Sequence, residues 1–422
     1  MCSSDLKDAL IRKYLDKIPG ACHGGGTPAD GKPCALHRDE LERYLLLAGD
    51  LPGVKVSTVL SADPQDPNGT VLFVDVKEKL YDGYGRVSRR SSRFVGPYQG
   101  DAAASVNNVT GFGERTQVRT ILAYPYSELN VYELVEEAPI FSEGTRIAAA
   151  ISEAHSNPGD RLRVLPLATT TQSGSLTVTH PWIRARGENL STRLTFTYRD
   201  IKTKQREAFI FEDRTRAFTF GSTYDFADPL FGVNLFDVSG TKGFDLGNTT
   251  LGNGRSPLSR ASGTAEFSKV NGQASRLQSL GVDGLDLLIA GIGQYSFSQL
   301  LIGEEFSVGG EQFGRGYDSG EISGDHGAAG KLELRYFLPQ PVDFVLSSMQ
   351  AYTFYDIGRV WNVDTSRKPL TVTSIASLGI GLRFNVTESV SGYVEGTKAL
   401  TAPVSAEPGK PYRFFFSVAA RF

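Results

Sequence analysis

Three kinds of side chain in this sequence could do chemistry. The first is histidine: His155, His180 and His326 have acids nearby, the raw material of metal binding or acid–base work. They are scattered, and no Gly-x-Ser-x-Gly nucleophile elbow occurs, so they read as loop or surface residues and no enzyme is expected. The second is cysteine. Cys2, Cys22 and Cys34 are the only three, and Cys22 and Cys34 bracket a glycine-rich stretch. They are either a disulfide of an oxidising compartment or two free thiols. Only His23 and His37 lie close by, without the paired spacing of a zinc site, so no metal or other cofactor is expected. The third is an arginine between two glycines, Gly314-Arg315-Gly316-Tyr317, inside the long segment Glu304–Gly330. Glycines let a backbone turn tightly and approach a wall closely. A guanidinium offers a planar fork of donors that docks bidentately on a carboxylate. Asp356 is a candidate for that carboxylate, on the strand face it shares with Phe354. The bland alternatives are a glycine-rich turn with an exposed arginine and an ordinary polar aspartate.

The elements that must position these residues are mostly β. The chain has 422 residues, 40% of them hydrophobic, and a net charge of −3. That balance gives no basic patch for nucleic acid. No stretch approaches the roughly 18–20 apolar residues of a membrane-spanning helix. Spanning strands are not excluded, because alternation of apolar and polar residues hides them from hydropathy averages. Glycine (46), tyrosine (17) and phenylalanine (25) suit a barrel with tight turns and aromatic girdles.

Two helical patterns come first. Ile11, Tyr14, Leu15 and Ile18 recur at helical spacing, as do Leu41, Tyr44, Leu45 and Ala48. The second ends at Asp50-Leu51-Pro52-Gly53. Strands are predicted over Val54–Leu60 and Thr70–Lys79, with Leu72, Val74 and Val76 on one face. Such a unit buries one sheet face under two helices. From about Gly83 the period becomes two. Leu190–Arg199 sets Leu194 and Phe196 against Arg193, Thr195 and Thr197, and Lys331–Tyr336 sets Leu332 and Leu334 against Lys331, Glu333 and Arg335. Ala376–Val386 alternates likewise, and Tyr412–Phe422 sets Phe414, Phe416 and Val418 against Arg413, Phe415 and Ser417. A soluble sandwich also alternates. Charges repeated on the polar face favour a water-filled lumen, and the chain stops on an aromatic at a strand end. Strands of ~10 residues make about sixteen the expected number, with even numbers the rule; fourteen or eighteen also fit. The segment Glu304–Gly330 is expected to be a long functional loop.

At that segment the sequence resembles the Omp85 superfamily of outer-membrane protein transporters, and more closely its two-partner secretion transporters, the haemolysin secretion/activation proteins. Their sixth outer loop folds into the lumen with an Arg-Gly-Tyr or Arg-Gly-Phe tip, usually after valine. Here the tip is Arg315-Gly316-Tyr317, with Gly314 in the valine's place. A downstream Gly-Asp-x-Gly appears as Gly324, Asp325 and Gly327, followed by the strand Lys331–Tyr336. A Phe-x-Asp-x-Gly motif appears as Phe354, Asp356 and Gly358. The terminal Phe422 fits the signal for barrel insertion. The front of the chain, Leu41 through Val54, resembles the second periplasmic POTRA domain of these transporters, without its first strand. The first POTRA domain and the plug helix have no counterpart.

The expected architecture is therefore a mostly β chain: a partial α+β POTRA domain over residues 1–80, then a transmembrane antiparallel β-barrel over 81–422. The resemblance implies an outer-membrane transporter that captures an unfolded exoprotein in the periplasm and exports it through the barrel. Capture would involve Leu72, Phe73 and Val74 on the strand and Leu41 and Leu45 on the helix, with Arg315 and its loop as support or gate. Implied partners are the exoprotein, outer-membrane lipid and lipopolysaccharide, and the barrel-assembly machinery; nucleic acid is not among them, and the chain is expected to be a monomer. The alternatives are an assembly factor of the same superfamily that inserts client barrels through a lateral seam, and a passive porin or soluble β-rich binding protein. No Gly-x-x-x-x-Gly-Lys-Ser/Thr motif is present, so nucleotide would not drive export. Residues Met1–Ile18 mix charges without an apolar core, so no secretory signal is visible and the sequence reads as a fragment or as one whose first residues are not native. Sequons at Asn68, Asn108, Asn189, Asn248 and Asn385 read as turn and strand composition.

Overall fold

A computed structural model describes residues 10–18, 37–62, 70–247, 249, 257–339, 346–363 and 372–422. The three cysteines and His23 lie outside the described residues.

Two helices open the described chain, α1 over residues 10–15 and α2 over Arg38–Gly49. Asp39 and Glu40 occupy the first turn of α2, where carboxylates favour the helix dipole. The apolar faces meet in one small core: Ile11 and Tyr14 from α1, Leu47 and Ala48 from α2, and Leu51 after it. The hairpin β1 (Val54–Ala62) and β2 (Thr70–Glu78) adds Val54, Val56 and Val76 to that core. It is an antiparallel two-stranded sheet, with Val56 opposite Val76.

Beyond Leu80 the chain forms a closed antiparallel barrel of sixteen strands. Eleven run in order as β3 (Tyr81–Arg89), β4 (Tyr98–Asn107), β5 (Arg115–Tyr124), β6 (Leu129–Pro139), β7 (Arg146–Ser156), β8 (Leu167–Arg184), β9 (Glu188–Gln205), β10 (Ala208–Asp228), β11 (Gly232–Gly243), β12 (Ser268–Ser279) and β13 (Leu285–Ser296). A small hairpin follows, β14 (Phe306–Val308) with β15 (Ile322–Gly324), outside the barrel wall. The wall resumes with β16 (His326–Leu338), β17 (Ser348–Trp361), β18 (Val372–Asn385), β19 (Val390–Ala399) and β20 (Tyr412–Arg421). Pairing of β20 with β3 closes the ring, leaving no wall edge open in lipid.

The period of two sorts the wall residues. Leu194, Phe220, Val238, Ile289, Leu332 and Ile380 are exposed on the outside. Polar partners of the same strands face inward, and hydroxyl pairs such as Thr177 with Thr195 (3.0 Å) and Thr219 with Thr241 (2.9 Å) line the lumen. The segment expected to be one irregular loop to Gly330 is shorter and more ordered than that. It contains the β14–β15 hairpin, and the wall strand already begins at His326. The reason is local: a Cβ on Gly327 would lie 2.0 Å from the Phe306 ring, so a glycine read as loop-forming is what lets a strand pass a packed aromatic.

The small helical unit sits on the barrel rim that also holds the chain's end. Arg43 donates to the carbonyls of Pro181 and Trp182 (3.1 Å each), and the Tyr14 hydroxyl donates to the Phe141 carbonyl. Asp50 accepts a bidentate pair from Arg184, 2.7 Å at each oxygen.

Candidate functional site

The loop between β13 and β16 folds into the barrel and brings Arg315 against the wall. Its hairpin supplies an apolar body: Val308, Phe313, Tyr317 and Ile322 pack on Val360, Ile375 and Ala399. Gly309, Gly310 and Gly314 all have positive φ (123°, 94° and 86°), backbone that L side chains rarely adopt. This explains the glycine where related tips carry valine: at φ 86° a branched side chain would be strained, and its Cβ would press on Ile375 at 3.2 Å. At Gly316 the constraint is proximity, because a Cβ would stand 2.7 Å from that of Ser377 and 3.0 Å from the Ala399 nitrogen.

Arg315 is 3% exposed and Asp356 is fully buried. Asp356 Oδ2 accepts from the backbone N–H of Gly314 (3.1 Å) and of Arg315 (2.9 Å), and from Arg315 Nε (3.0 Å). Asp356 Oδ1 accepts from Arg315 Nη2 at 2.8 Å. The guanidinium carbon lies 3.4 Å from the centre of the Phe354 ring, a cation–π stack. The Phe-x-Asp-x-Gly spacing thus puts a platform and an acceptor on one strand face. Gly358 completes it by leaving room for Val308, whose Cγ1 a Cβ would meet at 2.5 Å.

Two further carboxylates reach Arg315 that the sequence reading did not single out. Glu333 on β16 accepts from Arg315 Nη1 and also holds Arg335 (2.8 Å) and Arg383 (2.9 Å). Glu395 on β19 lies 3.8 Å from Arg315 Nη1 and pairs with Arg90 at 2.6 Å. Arg90, immediately after β3, also donates to the Arg315 carbonyl (3.4 Å) and lies over the Phe415 ring at 4.2 Å. Phe415, an aromatic on a polar strand face, is thereby accounted for. The available signal was parity: Glu333 and Glu395 occupy the inward positions of strands flanking β17 and β18.

The other motif residues have separate places. Tyr317 is buried and its hydroxyl donates to the Ala402 carbonyl at 3.0 Å. Asp325 does not meet Arg315. It ties three loops together, accepting from Arg260, from the Leu300 N–H (2.8 Å) and from the Val363 N–H (2.9 Å). Gly324 passes the Trp361 carbonyl, which a Cβ would meet at 3.0 Å. Phe422 is 67% exposed, and its backbone exchanges hydrogen bonds with Gly83 (3.1 and 3.2 Å). On the hairpin, Phe73 is 59% exposed and Leu72 and Val74 are half-buried; on α2, Leu41 is buried and Leu45 half-buried. His155, His180 and His326 stay apart, and among the described residues no group of histidine, cysteine and carboxylate ligands gathers.

Residues 90–384, more than half of the chain, match the family model for haemolysin secretion/activation protein ShlB/FhaC/HecB. The chain belongs to this family. The heme/hemopexin transporter protein HuxB of Haemophilus influenzae (strain 86-028NP) is 24% identical over 366 residues, 86% of this chain and 64% of the relative. The chain therefore spans less than two thirds of that relative's length. Among solved structures, CdiB from Escherichia coli superposes with a TM-score of 0.78 at 18% identity, covering 99% of this chain and 75% of that one. BamA from Haemophilus ducreyi lacking POTRA domains 1-3 gives 0.61 at 14% identity, covering 98% and 82%. These likenesses concern the fold. Family membership and the closed barrel together make the ShlB/FhaC/HecB-type chain an outer-membrane β-barrel.

Proposed function

We propose that this chain exports an exoprotein across the outer membrane by two-partner secretion. The observation that carries the reading is the loop pinned inside a closed sixteen-strand wall by Arg315 on Asp356. A passive pore does not need a buried arginine held by a carboxylate and an aromatic platform. A loop that supports or gates the lumen does. The hairpin β1–β2 pairs with no further strand among the described residues, so an extended substrate segment can add to its edge. Main-chain hydrogen bonds would then give affinity without demanding one sequence. Residues 1–80 act as the periplasmic capture unit and 81–422 as the conduit. The lumen-loop residues Gly314 to Tyr317 and the wall residues Phe354, Asp356 and Gly358 form the gate. Phe422 marks the strand that the assembly machinery recognises. The rim carrying α2 faces the periplasm, and the chain works as a monomer.

The test is secretion of the cognate exoprotein by cells carrying the complete gene. Arg315→Ala should hold the exoprotein in the periplasm while the heat-modifiable barrel stays at its usual level. Undiminished export would remove the gate. A second reading, insertion of client barrels, draws on the short closing seam, where Phe416–Phe422 pairs with Gly83–Arg89. It predicts that a disulfide across that seam stops activity, whereas export through the lumen survives it.

A further inference from the structure

The outer surface beside the closing seam carries a groove of about 990 Å³ that the lumen mechanism does not use. It follows residues paired across neighbouring strands. One row runs from Tyr336 through Ala351 and Val394 to Phe416 and ends on Arg89. The parallel row passes Thr353, Gly396 and Phe414. Small residues at 351, 353 and 396 form the floor, and exposed aromatics and aliphatics stand on either side. Five strand spacings of ~4.8 Å make the row about 24 Å long, room for an extended acyl chain.

The end of the groove is basic. Arg89 closes β3, Lys398 lies near the end of β19, and Lys410 precedes β20, all at the rim opposite the helical unit. Among the described residues none of the three forms an ion pair. Arg89 instead donates to the Phe414 carbonyl (2.6 Å), Lys410 to the Leu400 carbonyl (2.9 Å), and Lys398 lies over the Tyr412 ring at 3.9 Å. The inward cations Arg90, Arg315, Arg383 and Arg413 all have carboxylate partners. Unpaired cations next to exposed tyrosines, above an apolar groove, match an amphiphile with an anionic head and long tails. Outside an outer-membrane barrel, the rim away from the periplasm meets the outer leaflet.

We propose that this groove binds lipopolysaccharide, with an acyl chain along the Gly396 floor and phosphate against Arg89, Lys398 and Lys410. The proposal rests on the outer-membrane reading and names a lipid partner and its site. It places a bound lipid against β20 and β3, the strands with the short pairing.

The experiment is native mass spectrometry of the purified chain in detergent, titrated with deep-rough lipopolysaccharide, with the same lipid stripped of phosphate, and with phosphatidylglycerol. The wild type should retain the phosphorylated lipopolysaccharide at least fivefold more than either alternative. Combined Arg89→Gln, Lys398→Gln and Lys410→Gln should abolish that preference. Gly396→Leu should lower retention of every lipid by blocking the floor; it is tolerable because a Cβ there makes only ordinary contact with Phe414 at 3.5 Å. Lys242→Gln, elsewhere on the same rim, should change nothing. Equal retention of phosphorylated and stripped lipid, a preference for phosphatidylglycerol, or unaltered binding by Gly396→Leu would each overturn the proposal. If secretion persists while binding fails, only the groove is lost. If heat-modifiable barrel never appears in the outer membrane, the functional reading itself falls.

Discussion

Asp356 grips Arg315 by its backbone as well as its side chain. One oxygen takes the Arg315 N–H and Nε, and the other takes Nη2. The carboxylate therefore fixes the course of the loop and not only the direction of one guanidinium. Because Glu333 and Glu395 share the same guanidinium, the two partners are not equivalent. Removing Arg315 leaves Asp356 buried without its cation, while Glu333 keeps Arg335 and Arg383 and Glu395 keeps Arg90; removing Asp356 leaves the arginine its two other carboxylates.

Arg315→Ala should accordingly be worse than Asp356→Ala. Breaking a buried pair costs ~3–5 kcal/mol, against ~0–1 for an exposed one. Export should fall at least tenfold in Arg315→Ala and less in Asp356→Ala, and the double variant should match Arg315→Ala. Exoprotein in the medium, normalised to barrel level, measures this. Additive losses would show that the residues act independently.

Arg315→Lys keeps the charge and loses the fork. An ammonium cannot bridge both Asp356 oxygens and lie flat over Phe354. Export should fall nearly as far as in Arg315→Ala; full activity would reduce the site to simple charge neutralisation.

Gly316→Val tests close approach rather than charge. The added atoms meet Ser377 and the backbone of Ala399, which cannot move without disturbing β18 and β19. The barrel should still migrate as a heat-modifiable band, but protease added from outside should cut near residue 316 at least tenfold faster.

The Asp50–Arg184 pair should hold the helical unit to the rim. Both side chains are only partly buried, so the expected cost of Asp50→Asn is small, about 1 kcal/mol. Limited proteolysis after residue 50 should speed up several-fold and respond to salt in the wild type. Unchanged cleavage would show that the other rim contacts, from Tyr14, Glu42, Arg43 and Tyr44, hold the unit without it.

Deleting Phe422 should lower the outer-membrane level of folded barrel severalfold. Its backbone pair with Gly83 extends a ladder already shorter than its neighbours, and its ring covers Gly83, where a Cβ would meet it at 2.5 Å. Heat-modifiable protein in isolated outer membranes is the readout, and wild-type levels would discard the insertion role.

Much of this was legible in the sequence because a barrel writes its sidedness at period two. Leu194 against Arg193 and Phe414 against Arg413 were enough to sort lipid from lumen. The pairing of Arg315 with Asp356 followed from the motif spacing that the resemblance supplied. What could not be read was anything set by register. Glu333 and Glu395 become partners of Arg315 only once β16 and β19 are placed beside their neighbours, and single-strand parity does not say which inward carboxylates share a height. The run Gly327–Gly330 misled for a related reason: glycine marks both turns and strands that pass a bulky neighbour, and only the position of Phe306 separates the two.

The wall is not equally tall all round. β3 has 9 residues and β20 has 10, whereas β8, β9 and β10 have 18, 18 and 21. At ~3.3 Å per residue and a tilt of about 40°, the short side rises roughly 23 Å and the tall side more than 45 Å. A hydrocarbon layer of ~30 Å fits neither side equally, and lipid yields more readily than a closed ladder. The bilayer should therefore be thinner beside the short arc from β19 through β20 and β3 to β5 than on the far side. The thinnest lipid should lie along that same arc, which contains the closing seam.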